Sequence, residues 1–173
     1  MTLTQVRPAG LSAGAVLQVQ YTQLTSTSTQ NISSRTDTVL DNLNVSITPV
    51  STSSIIKLEA IISFEPSATN SEYNNVFFFY RDSTKLAPPA AGSRPVGIVN
   101  SATSFTAANT SSTPSMAHLT WYDSPSSTSA ISYKVGAWFY DAITFYLNRV
   151  VTDSNEVDKE RLASIVSATE IAG

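Results

Sequence analysis

The chain has 173 residues, of which 42% are hydrophobic and 13% charged, with no cysteine and a net charge of −3. That length carries one domain with a genuine core. The acidic balance and ten scattered Lys and Arg residues exclude a nucleic-acid footprint, and the lack of cysteine excludes disulfides and thiolate metal sites.

Residues 1–14, with Pro8, Gly10 and Gly14 and little periodicity, read as a short extended arm. They lack an apolar run behind a basic start, so no signal peptide is expected. No stretch reaches the ~20 apolar residues of a membrane span, so no membrane partner is expected either. Residues 15–24 alternate strictly, Leu17, Val19 and Tyr21 against Gln18, Gln20 and Thr22, which predicts a half-buried strand. Residues 25–34 are a Ser/Thr/Asn stretch and read as a loop or loose edge. A second alternating strand spans residues 43–48 and stops at Pro49; a third spans 55–64, with Ile56, Leu58, Ala60, Ile62 and Phe64 on one face.

Residues 76–81 are an unbroken apolar and aromatic strand, turned by Asp82-Ser83-Thr84 into a short return at Lys85-Leu86. Residues 94–105 are weakly strand-like. Residues 116–122 and 131–140 are predicted to pair as a hairpin across a Pro-containing turn. Strands follow at 143–147 and, after a charged loop at 153–160, at 162–171. A helix over 154–166 is the lesser alternative, since EVDKERLASIV carries some 3.6-residue periodicity. Together with the 48 Ser and Thr residues around these runs, the pattern predicts an all-β fold. The expected form is an antiparallel β-sandwich, jelly-roll-like, over residues 15–173 behind the arm at 1–14.

Two strands break the alternation. Phe77, Phe78 and Phe79 are consecutive, and so are Trp138, Phe139 and Tyr140, so rings project from both sides of each strand. In a sandwich only one side of a strand meets the core. The outward rings are therefore expected to be covered, either by a loop of the same chain or, as favoured here, by sister subunits. These six residues are the candidate subunit interface.

Chemistry is harder to find. His118 is the only histidine and sits in a strand, and no G-x-S-x-G elbow accompanies the many serines. The acids at Asp153, Glu156, Asp158 and Glu160 lack the glycine and the oxygen spacing of a calcium loop. No enzyme activity, cofactor or metal is expected. Trp121, Tyr122, Trp138 and Tyr140 are the aromatic residues suited to stacking on sugars, with core or interface packing the plainer account.

Six segments in order, AGAVLQVQYTQLTSTSTQ, VSITPVSTSSIIKLEAIISF, FFFYRDSTKLAP, LTWYDSPSSTSAISYKV, FYLNR and SATEIAG, resemble a domain widespread in tailed-bacteriophage virion proteins. That domain often stands at the C-terminal end of tail-fibre-type proteins of aquatic phages. The resemblance spans most of residues 14–173 and implies a β-sandwich module, usually trimeric, on a virion assembled in the host cytoplasm. It brings no catalytic residues. Ile55-Ile56-Lys57 stands where the family usually has Lys-Ile, and Met1 lies only a short way ahead of the domain. A free-standing copy of this kind suits a homotrimeric capsid decoration, or cement, protein bound to the major capsid protein or another virion protein. Val6, Arg7, Pro8 and Leu11 of the arm are then the residues expected to dock on the capsid. The alternative is a tail- or head-fibre tip that binds a host-surface glycan.

Overall fold

The computed structural model describes residues 12–67, 71, 73–101 and 112–173. Ten strands form there: β1 (Val16–Leu24), β2 (Ser28–Ile32), β3 (Thr38–Ile47), β4 (Ile55–Pro66), β5 (Asn75–Arg81), β6 (Thr84–Leu86), β7 (Ser115–Asp123), β8 (Ile131–Phe139), β9 (Ile143–Leu147) and β10 (Ser164–Ile171). All their pairings are antiparallel. One sheet runs β1-β10-β4-β9-β2 with β7 added on β4, and the other runs β3-β8-β5-β6. The chain is an all-β antiparallel sandwich, as its sequence predicts.

β4 is the axis of the larger sheet. Along one side it pairs with β10 through residues 55–61 and with β9 through residues 64–66; along the other it pairs with β7 through residues 56–64. Most successive strands change sheet, so the hairpin expected between residues 116–122 and 131–140 does not form. β7 pairs with β4, whereas β8 lies between β3 and β5 in the opposite sheet. Residues 124–130 are long enough to cross the ~10 Å between packed sheets, and the crossing lets the inward faces of both strands meet over one core.

Other boundaries shift for local reasons. β2 lies inside the stretch read as a loop or loose edge and is an edge strand of the larger sheet, with only Ile32 buried and its Gln30 side chain bridging to Val39 O and Asp41 N of β3 (both 2.9 Å). Of residues 94–105, those up to 101 are described, and they make only an isolated bridge, Val99 to Phe77. No helix forms at 154–166; strand β10 begins at Ser164.

The core is built on aromatic contacts between the sheets. Phe64 stacks on Phe145 at 4.8 Å and meets Phe77 at 5.2 Å, while Phe77 and Phe139 meet edge to face at 5.8 Å. All four are buried. At the far end of the sandwich Arg81 donates to both oxygens of the buried Asp123 (3.0 and 3.1 Å), and the Tyr133 hydroxyl donates to Oδ2 at 2.7 Å. Burial, reinforced by that hydrogen bond, holds the Tyr133 proton well above the usual phenol range.

The raised phenol has a stability consequence. The unfolded chain releases this proton near pH 10, whereas the folded chain keeps it, so the stabilisation is full below about pH 10 and is lost as pH climbs beyond it. Urea titrations between about pH 9 and 11.5 are expected to show wild type falling more steeply than Tyr133→Phe, by up to about 1.4 kcal/mol per pH unit. Equal slopes would show that Tyr133 carries no such linkage.

Candidate functional site

The six rings expected at a subunit interface are mostly sealed inside the chain. Phe77, Phe79 and Phe139 face the core, and all three are fully buried. Phe78 points to the outer side of the smaller sheet and is also fully buried. Its ring lies over Gly136, where a Cβ would stand 2.4 Å from the Phe78 ring and 2.8 Å from that of Tyr80. Tyr80 meets it edge to face at 5.5 Å, and the Lys85 ammonium caps it at 3.8 Å from the ring centroid. This corrects the expectation for Phe77, Phe78, Phe79 and Phe139: the same chain covers them, so none of the four presents a surface to a sister subunit. Gly136→Ala is expected to lose about 1–3 kcal/mol by overpacking, read as a lower urea midpoint; an unchanged midpoint would mean the rings shift freely.

Trp138 and Tyr140 remain partly open, and Trp138 borders a cleft. Residues 95–99 run against the start of β5: Phe77 N donates to Val99 O at 2.8 Å and Ile98 N to Phe77 O at 2.7 Å. The approach is close enough that a Cβ on Gly97 would lie 2.6 Å from Val76 Cβ, so glycine is required there. The preceding loop then stands off the sheet and forms one wall of the cleft. The opposite wall is the turn between β2 and β3, fixed to the end of β8 by Arg35 N donating to Phe139 O at 2.8 Å.

Between these walls lies an open cleft of about 800 Å³, bordered by Arg35, Thr36, Asp37, Lys85, Ser93, Arg94, Val96 and Trp138 among others. Lys85 is paired with Asp37 at 2.8 Å. Arg35 lies over the Tyr140 ring at 4.4 Å, and Arg94 Nη1 donates to Ala91 O at 3.3 Å. Among the described residues neither arginine has a carboxylate within ion-pair distance. The cleft thus carries a net positive charge on a chain whose total is −3.

The remaining candidates divide clearly. Val6, Arg7, Pro8 and Leu11 lie outside the described residues. Trp121 packs against the core and Tyr122 is exposed on the outer face of the larger sheet, so the four aromatics suited to sugar do not converge. His118 is exposed opposite Ile61 of β4. Among the described residues no three of His, Asp and Glu converge as metal ligands.

The buried carboxylates are occupied by structural work. Glu65 accepts from Thr113 N (3.0 Å), Thr113 Oγ1 (2.8 Å) and Val151 N (2.6 Å). Glu170 accepts from Gln18 Nε2 (2.6 Å), Val50 N (2.8 Å) and Ser54 Oγ (2.6 Å).

That last set of bonds also inverts β1. Gln18 turns inward to Glu170, and Val19 and Tyr21 are left 52% and 67% exposed on the outer face of the larger sheet. Register brings them beside Thr169 and Ser167 of β10, then Lys57 and Glu59 of β4, then Tyr122 and Thr120 of β7. Ile61, Met116 and Tyr122 are exposed there as well, and the Lys57–Glu59 ion pair at 2.9 Å is internally neutral. Sequence periodicity identifies β1 as a strand, but not that its apolar side is the wet one. No protein-family model and no curated protein matches this sequence.

Proposed function

We propose that the chain is a structural, non-enzymatic virion module of a tailed bacteriophage, a homotrimeric capsid decoration protein. One observation carries the reading of a surface made for contact: the outer face of the six-stranded sheet, where Val19, Tyr21, Ile61, Met116 and Tyr122 lie exposed around a self-neutralised ion pair. These side chains are already roughly half-buried, so covering each is worth about 1 kcal/mol before association costs. Four strands at ~4.8 Å spacing and nine residues at ~3.4 Å rise give roughly 600 Å² per copy. A single pairwise contact of that size is at the low end for a specific complex. A protein clamped between sister subunits and the shell uses several such contacts together, and binding only the expanded shell stabilises it by mass action.

Electron microscopy of purified particles tests the reading. Density at local three-fold axes, in hundreds of copies, is expected; density confined to the tail refutes it. Light scattering of the isolated protein is expected to give three times 18.5 kDa, and a monomer at micromolar concentration removes the trimer. A second reading, a fibre-tip module adhering to a host-surface glycan, is favoured by one specific feature, the cationic cleft beside Trp138.

A further inference from the structure

We propose that the cleft between the β2–β3 turn and residues 87–96 binds an acidic sugar, a saccharide residue carrying a carboxylate or sulfate. The inference deepens the second reading above by naming the site and the ligand class. It holds equally for a module on the shell, because the cleft and the apolar face of β1, β10, β4 and β7 belong to opposite sheets.

Four observations converge. First, Arg35 and Arg94 come from opposite walls, and among the described residues neither is matched by a carboxylate. Planar guanidinium groups are the donors that grip carboxylate and sulfate through two hydrogen bonds. Lys85 is not the anion binder, since Asp37 and the Phe78 ring already hold it. Second, Trp138 borders the same space, offering an amphipathic ring against which the apolar side of a pyranose packs. Third, Thr36 and Ser93 place hydroxyls on opposite walls for the sugar's own hydroxyls.

Fourth, the walls are set in advance. Arg35 is held at φ 53° and Gly92 at φ 66°, and Pro88 and Pro95 lie in the loop wall. Arg35 itself rests on Tyr140, so its guanidinium plane is oriented before a ligand arrives. A nucleic-acid strand is the weaker fit. Two available guanidinium groups on an acidic chain do not make a phosphate track, which needs a continuous basic groove.

An open cleft with few donors predicts weak binding at one site, on the order of 1 mM. The test is calorimetric titration of the full chain with sialyllactose, a galacturonate hexasaccharide and a heparin-derived hexasaccharide, with lactose and maltohexaose as neutral controls. NMR follows the two indole N–H signals. At least one acidic sugar is expected to bind about tenfold or more tightly than the neutral ones, weakening as salt rises. Carboxylate and sulfate arms separate the two sources of charge, and preference for either supports the proposal.

Only the Trp138 indole signal is expected to move, assigned by its loss in Trp138→Phe. Arg94→Gln, in an exposed loop, and Arg35→Gln are each expected to weaken binding about fivefold, Arg94→Gln at the wild-type urea midpoint and Arg35→Gln with a slightly lower one, since it gives up the contact with Tyr140. The proposal is overturned if no acidic sugar binds at 10 mM or if both arginine variants bind like wild type. An oligonucleotide binding more tightly than every sugar overturns it too. Neutral sugars binding as well as acidic ones overturn the ligand class while leaving the host-surface reading intact. Failure of the particles to adhere to host cells, with acidic sugars still bound, removes that reading and keeps the site.

Discussion

Phe64→Ala is expected to cost about 3–5 kcal/mol, a large part of the 5–15 kcal/mol that holds a domain of this size together. The ring is fully buried on β4, the strand that pairs with β10, β9 and β7. It contacts Phe145 and Phe77 directly and reaches Phe139 edge to face at 6.3 Å. Removing it leaves a void bounded by strands of both sheets, which cannot all close in without breaking ladder hydrogen bonds. A urea titration is expected to show a much lower midpoint with the slope retained. Phe64→Leu keeps most of the volume and is expected to lose less than about half as much. Equal losses for the two would mean that ring geometry, not filled space, matters at this position.

Glu170→Ala is expected to cost about 2–3 kcal/mol, because a fully buried carboxylate is lost and, of its three donors, Ser54 Oγ is left buried without an acceptor. The carboxylate ties β10 at once to Gln18 of β1, to Val50 N and to Ser54 of the turn ahead of β4. Glu170→Gln offers one accepting oxygen and turns an NH₂ toward the other donors, so it is expected to recover only a part. Hydrogen exchange distinguishes this from a general loss: protection at Val50 and in the first residues of β1 is expected to fall well before that of β8. Uniform loss across both sheets would show that Glu170 is not a local latch.

Much of the sandwich is legible in the sequence because period-two alternation is a one-residue signal. Ile56 through Phe64 and Ile143 through Leu147 show it directly, and both become core strands. What the pattern does not carry is the identity of the neighbours. Residues 116–122 and 131–140 look like a hairpin because the turn between them is short and polar, yet strand partners depend on contacts distant in sequence. β1 is a sharper case. Its apolar side is exposed because Gln18 satisfies a buried carboxylate 152 positions away, a bond no local window contains. The adjacent aromatic residues of β5 and β8 do signal that outward rings need a cover. Which cover depends on Gly136 making room and on Lys85 capping Phe78, both visible only in three dimensions. Likewise Trp138 stands out in sequence, whereas Arg35 and Arg94 are ordinary loop arginines until the fold sets them on facing walls.

The position of β10 bears on how the protein is made. This strand, the last in sequence order, occupies an interior place, hydrogen-bonded to β1 on one side and β4 on the other. While a ribosome is still working through the preceding residues, β1 has no mate and β4 has none along residues 55–61 on that side, so β1 stays split from the rest of the larger sheet. Closure must await residue 171, so assembly of this layer is a late event rather than one that proceeds strand by strand as the chain emerges. A nascent polypeptide halted before Ser164 would present two naked β borders to its surroundings, the condition under which sheets join the wrong neighbour.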